Sequence, residues 1–162
     1  MFRRLFHTTD DPMLALLRLA LGVVFFAHGA QKVLGWFGGT GYAGTMTFFT
    51  QNLGIPEVFA VLAIMAEFLG GIGLILGFLS RIAGFGIAIE MLVAVVKVHA
   101  PNGFFMNWYG NKQGEGFEFH LLAIAMALFV MAHGAGALSV DRAIDIAEHH
   151  RPLPRVPHPQ PL

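Results

Sequence analysis

The chain has 162 residues, of which 56% are hydrophobic and only 12% charged, a balance far more apolar than that of soluble domains. Its formal net charge is zero and no basic patch interleaves with aromatics, so nucleic-acid binding is excluded as a working idea. Cysteine is absent, which rules out disulfide frameworks, dithiol relays, persulfide carriers and thiolate metal sites within the chain. The abundance of phenylalanine (16) and glycine (20) suits helices that turn rings to lipid and bring their backbones together over small residues.

Residues 1–11 form a short polar lead with Arg3, Arg4 and His7, ending in Asp11-Pro12, an N-cap followed by a first-turn proline. A first membrane span is expected at 12–34, long enough to cross roughly 30 Å of hydrocarbon. It reads as a retained span rather than a secretory signal, because the apolar region is long, carries Arg18 and lacks a small-x-small cleavage site. Residues 35–56, rich in Gly, Thr, Asn and aromatics, read as a loop with a short helix at the interface. Spans at 57–79 and 82–99 then form an antiparallel pair joined at Ser80-Arg81. A second loop follows, with Phe104, Phe105, Trp108 and Tyr109 as an interfacial belt, and a fourth span is expected at 117–138. Residues 139–150 read as an amphipathic helix lying on the membrane, with Val140, Ile144 and Ala147 on one face. Residues 151–162 alternate proline with other residues and read as a mobile tail.

The expected fold is therefore all-α: an integral membrane antiparallel four-helix bundle. Both termini are expected on the cytoplasmic side, because Arg3, Arg4, Arg81, Arg142, Arg151 and Arg155 fall on one side of four crossings. Ionisable groups at membrane depth need a partner, a wet cavity, or both. At 100° per residue, Arg18, Gly22, Phe25, Gly29 and Lys32 share a face of the first span, and Ala60, Ala63, Glu67, Gly70, Gly71 and Leu74 share one of the second. Gly86, Glu90, Ala94 and Lys97 are expected to face inward on the third, and Glu118, Ala125, Ala132 and Gly136 on the fourth. Matching depths predict Arg18 paired with Glu90 or Glu67, and Glu118 with Lys32 or Lys97.

Arg18, His28, Gln31, Lys32, Glu67 and Glu90 are the candidate residues of a polar cavity; the plain alternative is that their charges only fix helix register. No metal is expected. His99, Glu118 and His120 are the nearest thing to a ligand set, but their spacing matches no recognised motif. His28 and His133 are expected at different depths, which argues against a bis-histidine haem.

Four stretches in order carry a family resemblance: Arg18-Leu-Ala-Leu-Gly22 leading into His28-Gly29-Ala-Gln31-Lys32; Glu67-Phe-Leu-Gly70-Gly71 with Gly77 and Arg81; and Glu115-Gly116-Phe117-Glu118. Over about residues 12–142 the chain resembles the DoxX family of small bacterial membrane proteins. The resemblance implies a four-span protein of the bacterial inner membrane. It further implies a link to quinone reduction with thiosulfate oxidation, or to oxidative-stress and detoxification proteins, with quinone as the implied cofactor. Expected partners are the lipid bilayer, redox or stress-response proteins and further copies of the chain. The competing reading is a non-catalytic membrane anchor or assembly factor.

Overall fold

Every regular element among the described residues is helical, as a computed structural model of the chain shows for residues 3–149. The proline-rich segment expected at 151–162 lies outside the described residues. After a single turn, α1 (Arg3–Phe6), the chain enters α2 (Pro12–Leu34), whose ends follow directly from local chemistry. The Asp11 carboxylate accepts hydrogen bonds from the backbone N–H groups of Met13 (2.8 Å) and Leu14 (3.3 Å), and Pro12 occupies the first turn. Gly35, at φ +70°, ends the helix in the left-handed conformation that glycine adopts without strain.

A short turn, Trp36–Gly38, leads to α3 (Gly41–Thr47), which continues into a wide π turn, Phe48–Asn52. The expected interfacial loop is thus largely helical. The next helix, α4 (Glu57–Leu76), closes three residues before the expected 79 because Gly77 (φ +67°) caps it. Then α5 (Ser80–Ala94) runs on through a π turn, Val95–His99, and a tight turn, Ala100–Asn102. The last long helix, α6 (Glu118–His133), stops five residues short of the expected 138, where Gly134 (φ +93°) and Gly136 (φ +76°) turn the chain. The last helix among the described residues is α7 (Val140–His149).

Among the described residues, three helical stretches are long and apolar enough to cross a membrane: Pro12–Leu34, Glu57–Leu76 and Ser80–Asn102. The 16 residues of α6 are apolar but reach only about 24 Å, less than the ~30 Å of a hydrocarbon core. These four helices pack as a ring, α2 on α4, α4 on α5, α5 on α6 and α6 on α2. Glycines set the closest approaches. A Cβ on Gly29 would lie 2.5 Å from the Phe68 Cα, one on Gly71 2.4 Å from the Phe26 nitrogen, and one on Gly84 2.6 Å from the Ala127 oxygen. Leu21, Phe25, Leu74, Ile87, Met91 and Val130 fill the space between. Leu16, Val23, Leu62, Leu69, Phe85 and Leu122 point outward and are exposed, an apolar girdle that a bilayer would cover.

The inward faces of α2 and α4 are as expected, apart from Ile64 in place of Ala63 as the fully buried residue of the upper α4 turn. Those of α5 and α6 are so only in part: Glu90 turns a carboxyl oxygen inward, Gly86 packs against Ala66 and Gly136 is buried, as expected. On α5 the buried residues are Gly84, Ile87, Ala88 and Met91, while Lys97 is exposed; on α6 they are His120, Ala123, Ala127 and Val130, while Ala125 and Ala132 are exposed. A stripe of small and polar residues marks an interior only where backbones touch, and here larger side chains occupy much of the interface. Because α6 is apolar on all sides, its periodicity cannot choose a face.

Candidate functional site

Two clusters of polar side chains lie inside the ring, at opposite ends of α2. The first surrounds Arg18, which is 1% exposed. Its Nε donates to the Ala135 carbonyl (2.7 Å), its Nη1 to those of Leu74 and Ile75, and its Nη2 to that of Leu138 (3.3 Å). Leu74 and Ile75 belong to the last turn of α4, whose carbonyls have no partners within their own helix, so the guanidinium acts as a C-terminal cap. Arg81 does the same for α6, donating to Met131 (2.7 Å) and Ala132 (2.6 Å), and also to His7 (2.9 Å). Asp141, fully buried, accepts from the backbone N–H groups of Leu79 (2.8 Å) and Ser80 (2.9 Å), and its charge acts on Arg18. It thereby caps the start of α5 and fastens α7 to the α4–α5 turn. The expected pairing of Arg18 with Glu90 or Glu67 does not occur. Arg18 lies 14 residues before Lys32 on one helix, about 21 Å away along its axis, and nearby carbonyls satisfy it instead.

The acidic side of α7 is likewise turned towards the protein. Asp141 is buried and Asp145 accepts from the Thr8 N–H (3.4 Å), whereas Val140, Ala143, Ile146 and Ala147 are exposed. The helix is amphipathic as its spacing predicts, with its polar side meeting protein rather than water.

The second cluster surrounds Lys32. Its Nζ forms an ion pair with Oε2 of Glu67, whose side chain is 4% exposed. The Glu90 carboxyl lies beside that of Glu67, within hydrogen-bond reach, and is influenced by the Lys32 charge. Both carboxylates are acceptors, so a hydrogen bond between them requires a shared proton. Buried Oε2 of Glu90 meets no donor. His120 occupies the same level: Gly84 lies against Ala127, and six or seven residues from that contact reach Glu90 along α5 and His120 along α6, about 9–10 Å in the same direction. His120 is 6% exposed and its Nδ1 has no hydrogen-bond partner. Its ring centroid is 4.0 Å from that of His99, and His28 lies near enough to act on it electrostatically. Each of α2, α4, α5 and α6 therefore contributes an ionisable group to one level. His28 itself is exposed on the flank of α2, its ring 6.3 Å from that of Phe119.

Gln31 donates to the Phe37 carbonyl (3.3 Å) and, with Lys32, lines a separate pocket between α2 and α3. Glu118 pairs with neither Lys32 nor Lys97. Its Oε1 accepts from the Met106 N–H (2.8 Å) and the Trp108 indole (3.1 Å), while Glu115 Oε2 accepts from the Asn107 N–H (2.6 Å). The Glu115-Gly116-Phe117-Glu118 stretch thus ties down the aromatic loop. His99 Nδ1 lies 2.8 Å from the Glu115 carbonyl oxygen. Among the described residues no three His, Cys, Asp or Glu side chains are placed to hold a metal ion. His99 and His120 meet ring to ring while Glu118 turns away. The sequence reading missed Asp141 and Arg81 as caps and Thr45, Phe48 and Phe49 as pocket walls. Only the helix ends at Gly77 and Gly134 hinted at the first two.

The sequence profile of the DoxX family matches residues 13–100, the stretch holding Arg18, Lys32, Glu67, Glu90 and His99, and stops before Glu115 and His120. The Bacillus subtilis (strain 168) protein named "Putative oxidoreductase CatD" is 30% identical over 128 residues, covering 78% of this chain and 82% of that protein. "Inner membrane protein YqjF" of Escherichia coli (strain K12) is 27% identical over 136 residues, covering 84% and 95%. An uncharacterized membrane protein of Mycobacterium tuberculosis is 30% identical over 149 residues, covering 87% and 86%. No solved structure matches the chain. With a family profile over more than half its length and relatives aligned across most of theirs, this helical, lipid-suited chain belongs to the DoxX family of membrane proteins.

Proposed function

We propose that the chain is a four-span component of the bacterial inner membrane that serves a quinone-linked redox or oxidative-stress system, holding a quinone-like headgroup at the Lys32 end. In this reading the four apolar helices run antiparallel and both termini face the cytoplasm. The observation that carries it is the single polar level built from α2, α4, α5 and α6, with Glu90 Oε2 and His120 Nδ1 buried and lacking a complementary group. A purely structural charge network closes on itself, as Arg18 does, whereas an open one suits a ligand with both acceptor and donor character. A B. subtilis relative is named as an oxidoreductase, which agrees with redox service. The residues present fit such a headgroup: Lys32 supplies a donor, and Glu90 and His120 can exchange a proton with a ligand oxygen. When bound, a quinone would supply the electron-carrying chemistry; the chain's own residues would orient it and hold protons.

Protein purified gently from membranes is expected to retain an extractable quinone and to lose it in Glu67→Gln. Repeated quinone-free preparations of intact fold would reject the proposal. Topology is tested separately by single cysteines at Tyr109 and Leu138, which are 90% and 92% exposed. A membrane-impermeant reagent added to whole spheroplasts should label the first and spare the second.

A further inference from the structure

A pocket of about 350 Å³ opens between the C-terminal end of α2 and α3, lined by Gln31, Lys32, Thr40, Thr45, Phe48 and Phe49 among others. Lys32 therefore belongs both to this pocket's wall and to the ion pair with Glu67. Its side chain is 24% exposed, and an ammonium carries three donors, so it can turn between the two. Thr45 is almost fully buried, its hydroxyl 3.2 Å from that of Thr40 and 3.3 Å from the Lys32 carbonyl oxygen, which fixes the polar floor. The rings of Phe48 and Phe49, 6.1 Å apart, supply apolar walls.

We propose that this pocket binds a ring compound bearing an oxygen acceptor and that Lys32 couples its occupancy to protonation of the Glu67–Glu90 pair. An acceptor in the pocket draws the ammonium towards it. The two carboxyls then lose the cation that balances them, and the pair takes up a proton so that net buried charge stays small. The other titratable groups at that level are His28 from α2, His120 from α6 and His99 stacked on His120. One proton enters per ligand seated and leaves with it; no bond is made or broken and no electron moves. Where the ligand is a quinone, the inference rests on the reading above; where it is an aromatic carboxylate, it does not.

The test uses the full chain in lipid nanodiscs and two probes, a benzoquinone with one isoprenyl tail and benzoate. Binding is followed by equilibrium dialysis, and proton uptake by a pH-indicator dye in weakly buffered medium. At least one probe should bind with uptake approaching one proton per site. Thr45→Val and Phe48→Ala, the latter on a ring 45% exposed, should weaken binding about tenfold and leave uptake per bound ligand unchanged. Lys32→Gln keeps an N–H donor for the ligand oxygen but has no charge to withdraw from Glu67, so it should still bind and lose more than half of the uptake per bound ligand; circular dichroism and elution volume report that each variant is folded. Binding of benzoate alone, with uptake, supports the coupling and rejects the quinone reading. Benzoquinone binding that ignores Thr45→Val and Phe48→Ala, or uptake that survives Lys32→Gln, overturns the coupling and leaves the quinone reading standing. Binding of neither probe overturns both.

Discussion

The two ends of α2 bury comparable charge and use it in opposite ways. At the Arg18 end the two most deeply buried charges are hydrogen-bonded by backbone groups, four carbonyls around the guanidinium and two N–H groups around the Asp141 carboxylate, while the ion pairs nearby, Asp145 with His7 and Arg142 with Asp10, each have one partner at the surface. Backbone partners are fixed by the fold, so these charges can only hold it together. The unpartnered buried atoms there are Ser80 Oγ and Arg81 Nε, the latter on a side chain already bound through its other nitrogens. At the Lys32 end the partners are other ionisable side chains, each able to change its charge or turn away. A buried charge answered by backbone is architecture, and one answered by titratable side chains is a site.

The sharpest way to break this contrast is to remove Arg18. Arg18→Met leaves the Ile75, Ala135 and Leu138 carbonyls without the guanidinium donor and the Leu74 carbonyl with only the long bond from the Gly77 N–H (3.3 Å), and a loss of about 3–5 kcal/mol is expected, read by unfolding in mixed micelles. An unchanged midpoint would mean that the guanidinium is not structural. Asp141→Ala removes the cap of α5 and the tether of α7; about 2 kcal/mol should be lost, with faster proteolysis within 134–149. Glu67→Gln, by contrast, should shift stability by only about 1 kcal/mol, because the lost ion pair is offset by relief between two adjoining carboxyls, while ligand retention falls away. Equal loss of stability at Arg18 and Glu67 would erase the distinction between the two ends. The smallest effect belongs to Glu118→Gln, expected to cost under about 1 kcal/mol yet to alter Trp108 fluorescence as its indole loses a charged acceptor.

Much of this was legible before any fold was known, where local rules operate. Asp11-Pro12 and Gly35 bound α2 at the expected residues because capping depends only on neighbours in sequence. Lys32 and Glu67 were placed on inward faces by the clean 3.6-residue period of α2 and α4. Pairing was not legible, because several opposite charges shared similar depths and nothing local says which helices adjoin. Arg18 went to carbonyls rather than to an acid because α4 ends three residues early at Gly77, bringing the Leu74 and Ile75 carbonyls beside it. His99 and His120 read as a weak metal pair; the Glu118 carboxylate that would complete it is instead held by the Met106 and Trp108 N–H groups.

Hydropathy, capping signals and helical period depend on residues a few positions apart, and they suffice to declare a helical, lipid-embedded chain with charges turned inward. Which charge meets which depends on how whole helices are rotated and offset against one another. That is set by backbone contacts at Gly29, Gly71 and Gly84, between segments 39 to 45 positions distant. Close packing at those glycines brings Lys32 to Glu67 and leaves Arg18 at the other end of the same helix.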